Sequence, residues 1–383
     1  MEQAYLTEIN IRQVRHMKNV KIQLAQDEKK HLLLTGVNGC GKTSILRAIA
    51  NSFFRLMGFM GQDWREMSLD TASDEIEIKS NLHRNIDGKD MYKLYQEGKI
   101  ILAYFSADRK FSINKSKAVE AVDIHKVKNI SEKMNISFGQ WLIYLYIESL
   151  FAKENGDSEK VRKIKQWFEW LENALRELFD NDQLKLQPAL EDMCYKIKLP
   201  DREAFGLDEM ASGYEALFDI FSEIVVRMDQ QAHLKYDLPG IVLIDEVELH
   251  LHIAWQKKVL PFLIEAFPNL QFIVATHSPF VVSSIESAVI YDLEKNLLIE
   301  DLSAYSYECL VESLFNTTDF SFVMGNKYER YLSLVEKGDL RSPFEDSELI
   351  ELIKYFKSIP IFMAQDIILD FQKTERIRKH DKD

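Results

Sequence analysis

The alternation of apolar and polar residues predicts how the chain begins. Residues 5–24 alternate in this way, which indicates two paired strands near the start of a sheet. Residues 31–35 contain three successive leucines and predict a buried strand. After a glycine-rich turn, Ile45, Ile49 and Phe53 recur at helical spacing. A strand, a glycine-rich turn and a helix therefore follow one another early in the chain.

Three further apolar runs predict buried strands, at residues 100–105, 241–244 and 272–275. A helical pattern at residues 253–267 separates the last two. Strands that alternate with helices predict a parallel sheet covered by helices. We therefore expect an α/β fold built on a parallel or mixed sheet.

The middle and the end of the chain have a different, helical pattern. One helix is expected near residues 138–151 and an amphipathic one around Ile164, Trp167 and Leu171, where the tryptophans are interpreted as helix packing rather than base stacking. Residues 347–359 also have a helical pattern, and residues 374–383 read as a charged tail. The predicted organisation is a first core part at 1–109, a helical insertion at 110–205, a second core part at 206–300 and a small helical region for partner docking at 301–383.

Composition limits the classes of function. The chain has 383 residues, with 46% apolar and 28% charged, as in soluble proteins that bury a full core. A net charge of −13 argues against a global field that attracts nucleic acid, although a local basic groove stays open. The three cysteines are widely spaced, and no stretch approaches eighteen apolar residues. These features predict a cytoplasmic protein with no membrane association.

The glycine-rich turn has the chemistry of a phosphate loop. Residues 36–43 match the pattern G-x-x-x-x-G-K-S/T between the predicted strand and helix. Glycines let backbone N–H groups face phosphates, and the helix N-terminus adds partial positive charge. Lys42 would contact the β- and γ-phosphates and Thr43 would coordinate Mg²⁺, so ATP and Mg²⁺ are expected. The candidate nucleotide-binding residues here are Asn38, Gly39, Gly41, Lys42, Thr43 and Ser44.

Polar residues follow the two later buried strands. Asp245 and Glu246 end the apolar run at 241–244, a Walker B pattern in which one carboxylate lies on the metal side and the next acts on water. We assign Asp245 to the metal and Glu246 as the candidate base. His277 ends the next strand, where it could contact the γ-phosphate.

Ser212 and Gly213 precede a predicted helix, and two interpretations stay open. The pair is either an ordinary helix N-cap or an anion site for the γ-phosphate held by an opposite subunit. Spacing alone does not choose between them.

Several segments resemble one family of ATPases. The loop at 36–43 resembles the G-x-N-G-x-G-K-S/T loop of the RecF/SMC branch of ABC-type, AAA-like ATPases, and residues 212–221 resemble their shortened signature. Residues 244–263 and 267–284 resemble blocks of stand-alone OLD-like ATPases. These blocks recur in the ATPase subunits of antiphage systems such as Septu and its retron-associated relatives. The resemblance covers roughly residues 5 to 60 and 205 to 290.

This resemblance implies a composite site. Ser212 and Gly213 would act on ATP bound by a second subunit, in a homodimer closed head-to-tail around two nucleotides or in a higher oligomer. Slow ATP hydrolysis would gate a partner effector in antiphage defence, with nucleic acid engaged through the complex. Nuclease motifs are missing from this chain, since residues 300–378 contain no D-x-D and the nine histidines form no HNH-like cluster. Any cleavage of nucleic acid is therefore expected from the partner, which would be a nuclease of the HNH or Toprim type.

Two departures and two alternatives accompany the resemblance. The glutamine expected after the second core strand is missing, and residues 105–110 occupy that region. Ile253 stands where the family commonly has a proline after its LHLH sequence. His250 and His252 alternate, but two ligands fall short of a usual zinc set. One alternative is a RecF/SMC-like repair ATPase that binds DNA directly through the basic cluster at 153–165. The other, a transporter subunit, is weakened by the missing glutamine.

Overall fold

The computed structural model describes residues 4–56, 75–80, 89–109, 130, 133, 138–300, 322–359 and 365–380. The chain divides into two compact units, residues 1–307 and residues 308–383. Most of the predicted insertion between residues 110 and 137, and the start of the predicted docking region at 301–321, lie outside the described residues.

A six-stranded sheet forms the centre of the first unit. Five strands are parallel and the last one pairs antiparallel at the edge. The three central strands are buried along their whole length, which explains their continuous apolar runs. The fold is therefore α/β with a mixed sheet, as predicted. In spatial order its strands are β12 (Leu297–Glu300), β11 (Ala288–Asp292), β3 (His31–Thr35), β10 (Leu270–Ala275), β9 (Gly240–Asp245) and β5 (Ile101–Phe105).

A second, antiparallel sheet contains β1 (Leu6–Val14) between β2 (Met17–Gln23) and β4 (Glu75–Ser80). The two strands predicted within residues 5–24 are confirmed. Helix α1 (Lys42–Leu56) follows the glycine-rich turn, and α2 (Lys89–Gln96) precedes β5. The apolar faces of β1 and α1 share one core cluster with the central sheet. The turn between β1 and β2 consequently lies beside the glycine-rich loop, where His16 Nε2 is 3.2 Å from the Cys40 carbonyl oxygen.

Two long helices and a small sheet follow. In α3 (Phe138–Glu154) and α4 (Ser158–Phe179), Trp141 and Trp167 are buried edge to face, with ring centroids 4.8 Å apart. Trp170 stacks on Tyr236 at 4.5 Å, so the tryptophan stripe packs the core, as interpreted.

The predicted insertion also contains strands that the sequence pattern did not indicate. They form a three-stranded antiparallel sheet after α4. The central strand buries Tyr195 and Ile197 in alternation, a period-two signal that is too short to stand out in the sequence. The strands are β6 (Lys185–Ala189), β7 (Cys194–Lys198) and β8 (Phe205–Gly206).

The remaining helices of the first unit surround β9 and β10. The single helix predicted at 253–267 is divided into two at residues 257–258. Within the part of the chain that the structure describes, no helix is long and apolar enough to cross a membrane. These helices are α5 (Ser212–Gln231), α6 (Ile253–Gln256), α7 (Val259–Ala266) and α8 (Pro279–Val282).

In the residues of the second unit that the structure describes, three α-helices pack together: α9 (Phe322–Glu336), α10 (Pro343–Ser358) and α11 (Gln365–His380). The helix predicted at 347–359 is confirmed. The segment predicted as a charged tail, residues 374–383, is instead helical up to residue 380 as part of α11, where Glu375 is buried and accepts a hydrogen bond from the Tyr331 hydroxyl at 2.9 Å.

Candidate nucleotide-binding and hydrolysis site

Backbone geometry explains why the loop between β3 and α1 is rich in glycine. Gly36, Gly39 and Gly41 have φ values of 132°, 83° and 110°, which side-chain-bearing residues rarely adopt. At Gly41 a Cβ would lie 2.6 Å from the Met17 Cε, which packs beneath the loop. The backbone conformation therefore strains any side chain at Gly41, and the end of the Met17 side chain would also have to move.

Lys42 is the first residue of α1, and its side chain is buried in the loop. Its Nζ donates to the Gly36 carbonyl oxygen at 2.8 Å and lies 3.4 Å from the His277 Nδ1. Burial lowers the pKa of Lys42, and the nearby carboxylates of Glu248 and Glu246 oppose this shift. The amine is thus held where the phosphate oxygens of a nucleotide can compete with loop carbonyls for its protons.

Thr43 and Asp245 meet although they are far apart in sequence. The Thr43 hydroxyl donates to the Asp245 Oδ1 at 3.1 Å. Burial raises the pKa of Asp245, and the hydrogen bond from Thr43 opposes that shift. Both oxygens suit Mg²⁺, which also takes water and substrate phosphates as ligands. This pair of oxygens is therefore the candidate magnesium site. The described ranges contain no group of three or more His, Cys, Asp or Glu side chains suited to a metal ion.

Glu246 follows Asp245 in a strained turn. Its φ is +48°, a left-handed conformation that is uncommon for a residue with a side chain. The Leu249 N–H donates to the Glu246 carbonyl oxygen at 3.0 Å and closes the turn. Such conformations persist where the surroundings hold them and are frequent at functional sites.

Glu248 connects this turn to the end of β10 and was missed as a site residue in the sequence. The Thr276 hydroxyl donates to its Oε2 at 2.8 Å, and the His277 N–H donates to its Oε1 at 2.5 Å. Burial raises the pKa of Glu248, while these hydrogen bonds oppose the shift. The one sequence signal that could have indicated Glu248 was its position two residues after Glu246.

Burial and Lys42 both lower the pKa of His277, so a neutral imidazole faces the Lys42 amine.

We expect Glu248→Gln to slow ATP hydrolysis about tenfold while ATP affinity changes little. One amide oxygen cannot replace two carboxylate acceptors, and an unpaired donor costs on the order of 1–3 kcal/mol, enough to displace His277. Steady-state kcat and the dissociation constant of ATP test this expectation. Glu286→Gln, an exposed glutamate after α8, is the matched control. An unchanged kcat in the Glu248 variant would refute the positioning role.

The signature segment lies at the start of α5. The capping residue is Ala211 rather than Ser212, so the interpretation of Ser212 as an ordinary N-cap is not supported. Tyr214 stacks on Phe179 with ring centroids 4.4 Å apart, and a Cβ on Gly213 would be 3.9 Å from the Trp255 ring. The side chain of Ser212 lies outside what the structure describes, and its action on a second subunit stays a prediction.

Residues 105–110, where the expected glutamine is missing, contain a second site residue that the sequence did not reveal. Arg109 follows β5 and donates from Nη1 to the Asp245 carbonyl oxygen and from Nη2 to the Glu246 carbonyl oxygen, both at 2.8 Å. No local pattern marked this arginine as part of the site.

His250 and His252 occupy a turn rather than a strand. His250 is exposed with φ +66°, and His252 caps α6 by accepting a hydrogen bond from the Ala254 N–H at 3.5 Å. These two histidines therefore do not share the face of a strand.

Much of the basic cluster at 153–165 is ion-paired. Lys160 contacts Glu148 at 2.7 Å, and two further lysines form i,i+4 pairs on the surface of α4, Lys163 with Glu159 at 2.8 Å and Lys165 with Glu169 at 3.5 Å. These partners reduce the positive potential that binding to DNA phosphates requires.

The phosphate loop between β3 and α1, with Lys42, Thr43 and Asp245 around it, defines a P-loop nucleoside triphosphatase. The family model for the AAA ATPase domain matches residues 62–282, more than half of the chain. The chain therefore belongs to the AAA ATPase domain family. The matched interval contains the signature, Asp245, Glu246 and His277, and it begins after the phosphate loop.

Similar proteins include bacterial Septu proteins and probable retron ATPases. The Septu protein PtuA of Bacillus mycoides (strain KBAB4) is 24% identical over 326 residues, which cover 77% of this chain and 41% of that protein. This chain thus spans less than half the length of that relative. The "Retron Vc95 probable ATPase" of Vibrio cholerae serotype O1 biovar El Tor is 22% identical, covering 97% of this chain and 86% of that protein. The predicted resemblance to Septu and retron ATPases is confirmed.

Among solved structures, an SMC head domain bound to the C-winged helix domain of ScpA aligns with a TM-score of 0.43 and 14% identity. The alignment covers 78% of this chain and 99% of that one.

Proposed function

We propose that this chain hydrolyses ATP as a homodimer closed head-to-tail around two nucleotides. The observation that carries the proposal is that three chain segments meet at the carboxyl ends of the parallel strands. There the Thr43 hydroxyl lies 3.1 Å from the Asp245 Oδ1, and the Lys42 Nζ lies 3.4 Å from the His277 Nδ1. Parallel strands β3, β9 and β10 end there, so their terminal polar groups can act on one triphosphate.

Each residue has a defined task in this proposal. Lys42 binds the β- and γ-phosphates, and Thr43 and Asp245 hold Mg²⁺, which when bound offsets the negative charge of the phosphates. Glu246 accepts a proton from the attacking water, while His277 contacts the γ-phosphate. The second subunit contributes Ser212 and Gly213. Slow hydrolysis suits a switch, because a ligand shifts a conformational equilibrium only through its differential affinity for the two states.

Mixing two inactive variants tests the shared site. Lys42→Ala removes the phosphate contact, and Ser212→Arg blocks the signature that acts on the other subunit's ATP. We expect equal mixtures to recover roughly a quarter of wild-type turnover, because half of the dimers are mixed and each of these keeps one intact site. Each variant alone provides the control. Absence of recovery at every ratio, with both variants folded and mixed dimers present under the assay conditions, would contradict a head-to-tail dimer.

The biological role follows from the similarity to Septu and retron ATPases. We propose that ATP-driven closure gates a partner effector in cytoplasmic antiphage defence, and that this partner is a nuclease of the HNH or Toprim type docked on residues 301–383. Nucleic acid would be engaged through the complex. Direct DNA binding, as in repair ATPases, is less favoured because the basic cluster on α4 is largely ion-paired and Trp167 is buried.

A further inference from the structure

Arg109 contacts the backbone at the start of the Walker B turn, which comprises residues 245–249. Its guanidinium donates to three successive carbonyl oxygens, those of Asp245 at 2.8 Å, Glu246 at 2.8 Å and Val247 at 3.2 Å. A fourth contact, to the Ser106 carbonyl oxygen at 3.4 Å, ties the same group to its own loop after β5. One side chain therefore joins the end of β5 to the turn that carries both candidate catalytic carboxylates.

The shape of the guanidinium explains why an arginine is needed there. Its N–H groups form a rigid planar fork with five donors, whereas a lysine amine is a single point of contact on a flexible stem. Successive carbonyls do not face the same way in a regular strand, but they converge here because Glu246 has φ +48°. Three hydrogen bonds to this converged arrangement stabilise the left-handed turn.

The positive charge of Arg109 is stabilised by the carboxylates around it. Burial lowers the pKa of Arg109, and the carboxylates of Asp219, Glu248, Asp245 and Glu246 oppose that shift. Asp219 is buried on α5, two turns after the start of the signature helix, and forms an ion pair with Lys133 at 2.8 Å. The half-buried guanidinium thus lies among carboxylates from α5 and from the Walker B turn.

We propose that Arg109 is a positioning residue for ATP hydrolysis, which fixes the turn so that Glu246 can act on water. It occupies the segment where the expected glutamine is missing, and its guanidinium donates to backbone carbonyl oxygens of the turn that carries Glu246. This inference rests on the proposed function, because it assigns Arg109 a task in the same hydrolysis. A residue that works through Glu246 has no effect once Glu246 itself is disabled.

A double-mutant cycle tests this dependence. Arg109→Lys keeps the charge but loses the fork, and we expect it to lower kcat about tenfold in the wild-type background while the dissociation constant of ATP changes less than about twofold. In the Glu246→Gln background, the same substitution should leave the residual hydrolysis rate unchanged. Rates are normalised to ATP-binding sites, so that a partly unfolded sample does not imitate a loss of kcat.

Arg162→Lys, an exposed arginine on α4, is the matched control in both backgrounds. An equal loss of rate in both backgrounds would show that Arg109 acts independently of Glu246 and would overturn the inference, as would an unchanged kcat in the single variant. If the wild-type protein itself hydrolyses no ATP, the proposed function fails, and the inference fails with it. If wild-type hydrolysis is normal and only the cycle fails, the proposed function stands alone.

Discussion

Lys42→Ala is expected to raise the dissociation constant of ATP by about two orders of magnitude. The Lys42 amine lies buried in the loop, 2.8 Å from the Gly36 carbonyl oxygen, at the start of α1. Loss of a buried charge-assisted contact costs on the order of 3 kcal/mol, which corresponds to that change in affinity. Alanine is well tolerated in helices, so the effect should fall on binding rather than on folding.

Isothermal titration calorimetry with ATP and Mg²⁺ measures this change, and thermal melting checks the fold. Lys163→Ala is the matched control, since Lys163 is an exposed lysine paired with Glu159 on α4. An ATP affinity equal to that of the wild type would remove Lys42 from the site and with it the assignment of the loop.

Glu246→Gln is expected to lower kcat about 100- to 1000-fold and to leave ATP binding intact, because general-base catalysis contributes rate enhancements of this order. Glutamine has nearly the shape of glutamate and can occupy the same turn, whose carbonyl oxygen Arg109 holds at 2.8 Å. Since ATP binds but is not consumed, the closed dimer should accumulate.

Multi-angle light scattering with ATP and Mg²⁺ measures the dimer, and phosphate release measures the rate. Glu191→Gln, an exposed glutamate after β6, should behave as the wild type in both assays. A monomer under these conditions would contradict ATP-driven dimerisation, and a normal hydrolysis rate would exclude Glu246 as the base.

The sequence predicted the parts of the site that are local in the chain. A buried strand such as β3 is a continuous apolar run, and the loop after it is a contiguous motif, so both are visible without any tertiary contact. Thr43 lies just after β3 and Asp245 ends β9, and a parallel sheet brings the carboxyl ends of such strands to the same side. The contact between Thr43 and Asp245 spans 202 residues and is present in the structure.

The sequence did not predict site residues whose hydrogen-bond partners lie far away along the chain. Arg109 is 136 residues from Asp245, and nothing in its local segment indicates which carbonyls it meets. Glu248 likewise gains its role from Thr276 and His277, which reach it only when β9 and β10 are adjacent.

The phosphate loop, the Walker B carboxylates and the α/β class were determined by the sequence itself, since each depends on residues next to one another or on simple periodicity. The tertiary structure alone decided how Glu246 is held and that α11 is a helix packed on Tyr331 rather than a loose tail. The physical reason is the same in each case: burial and hydrogen-bond partners come from segments far away in the chain, and only folding brings them together.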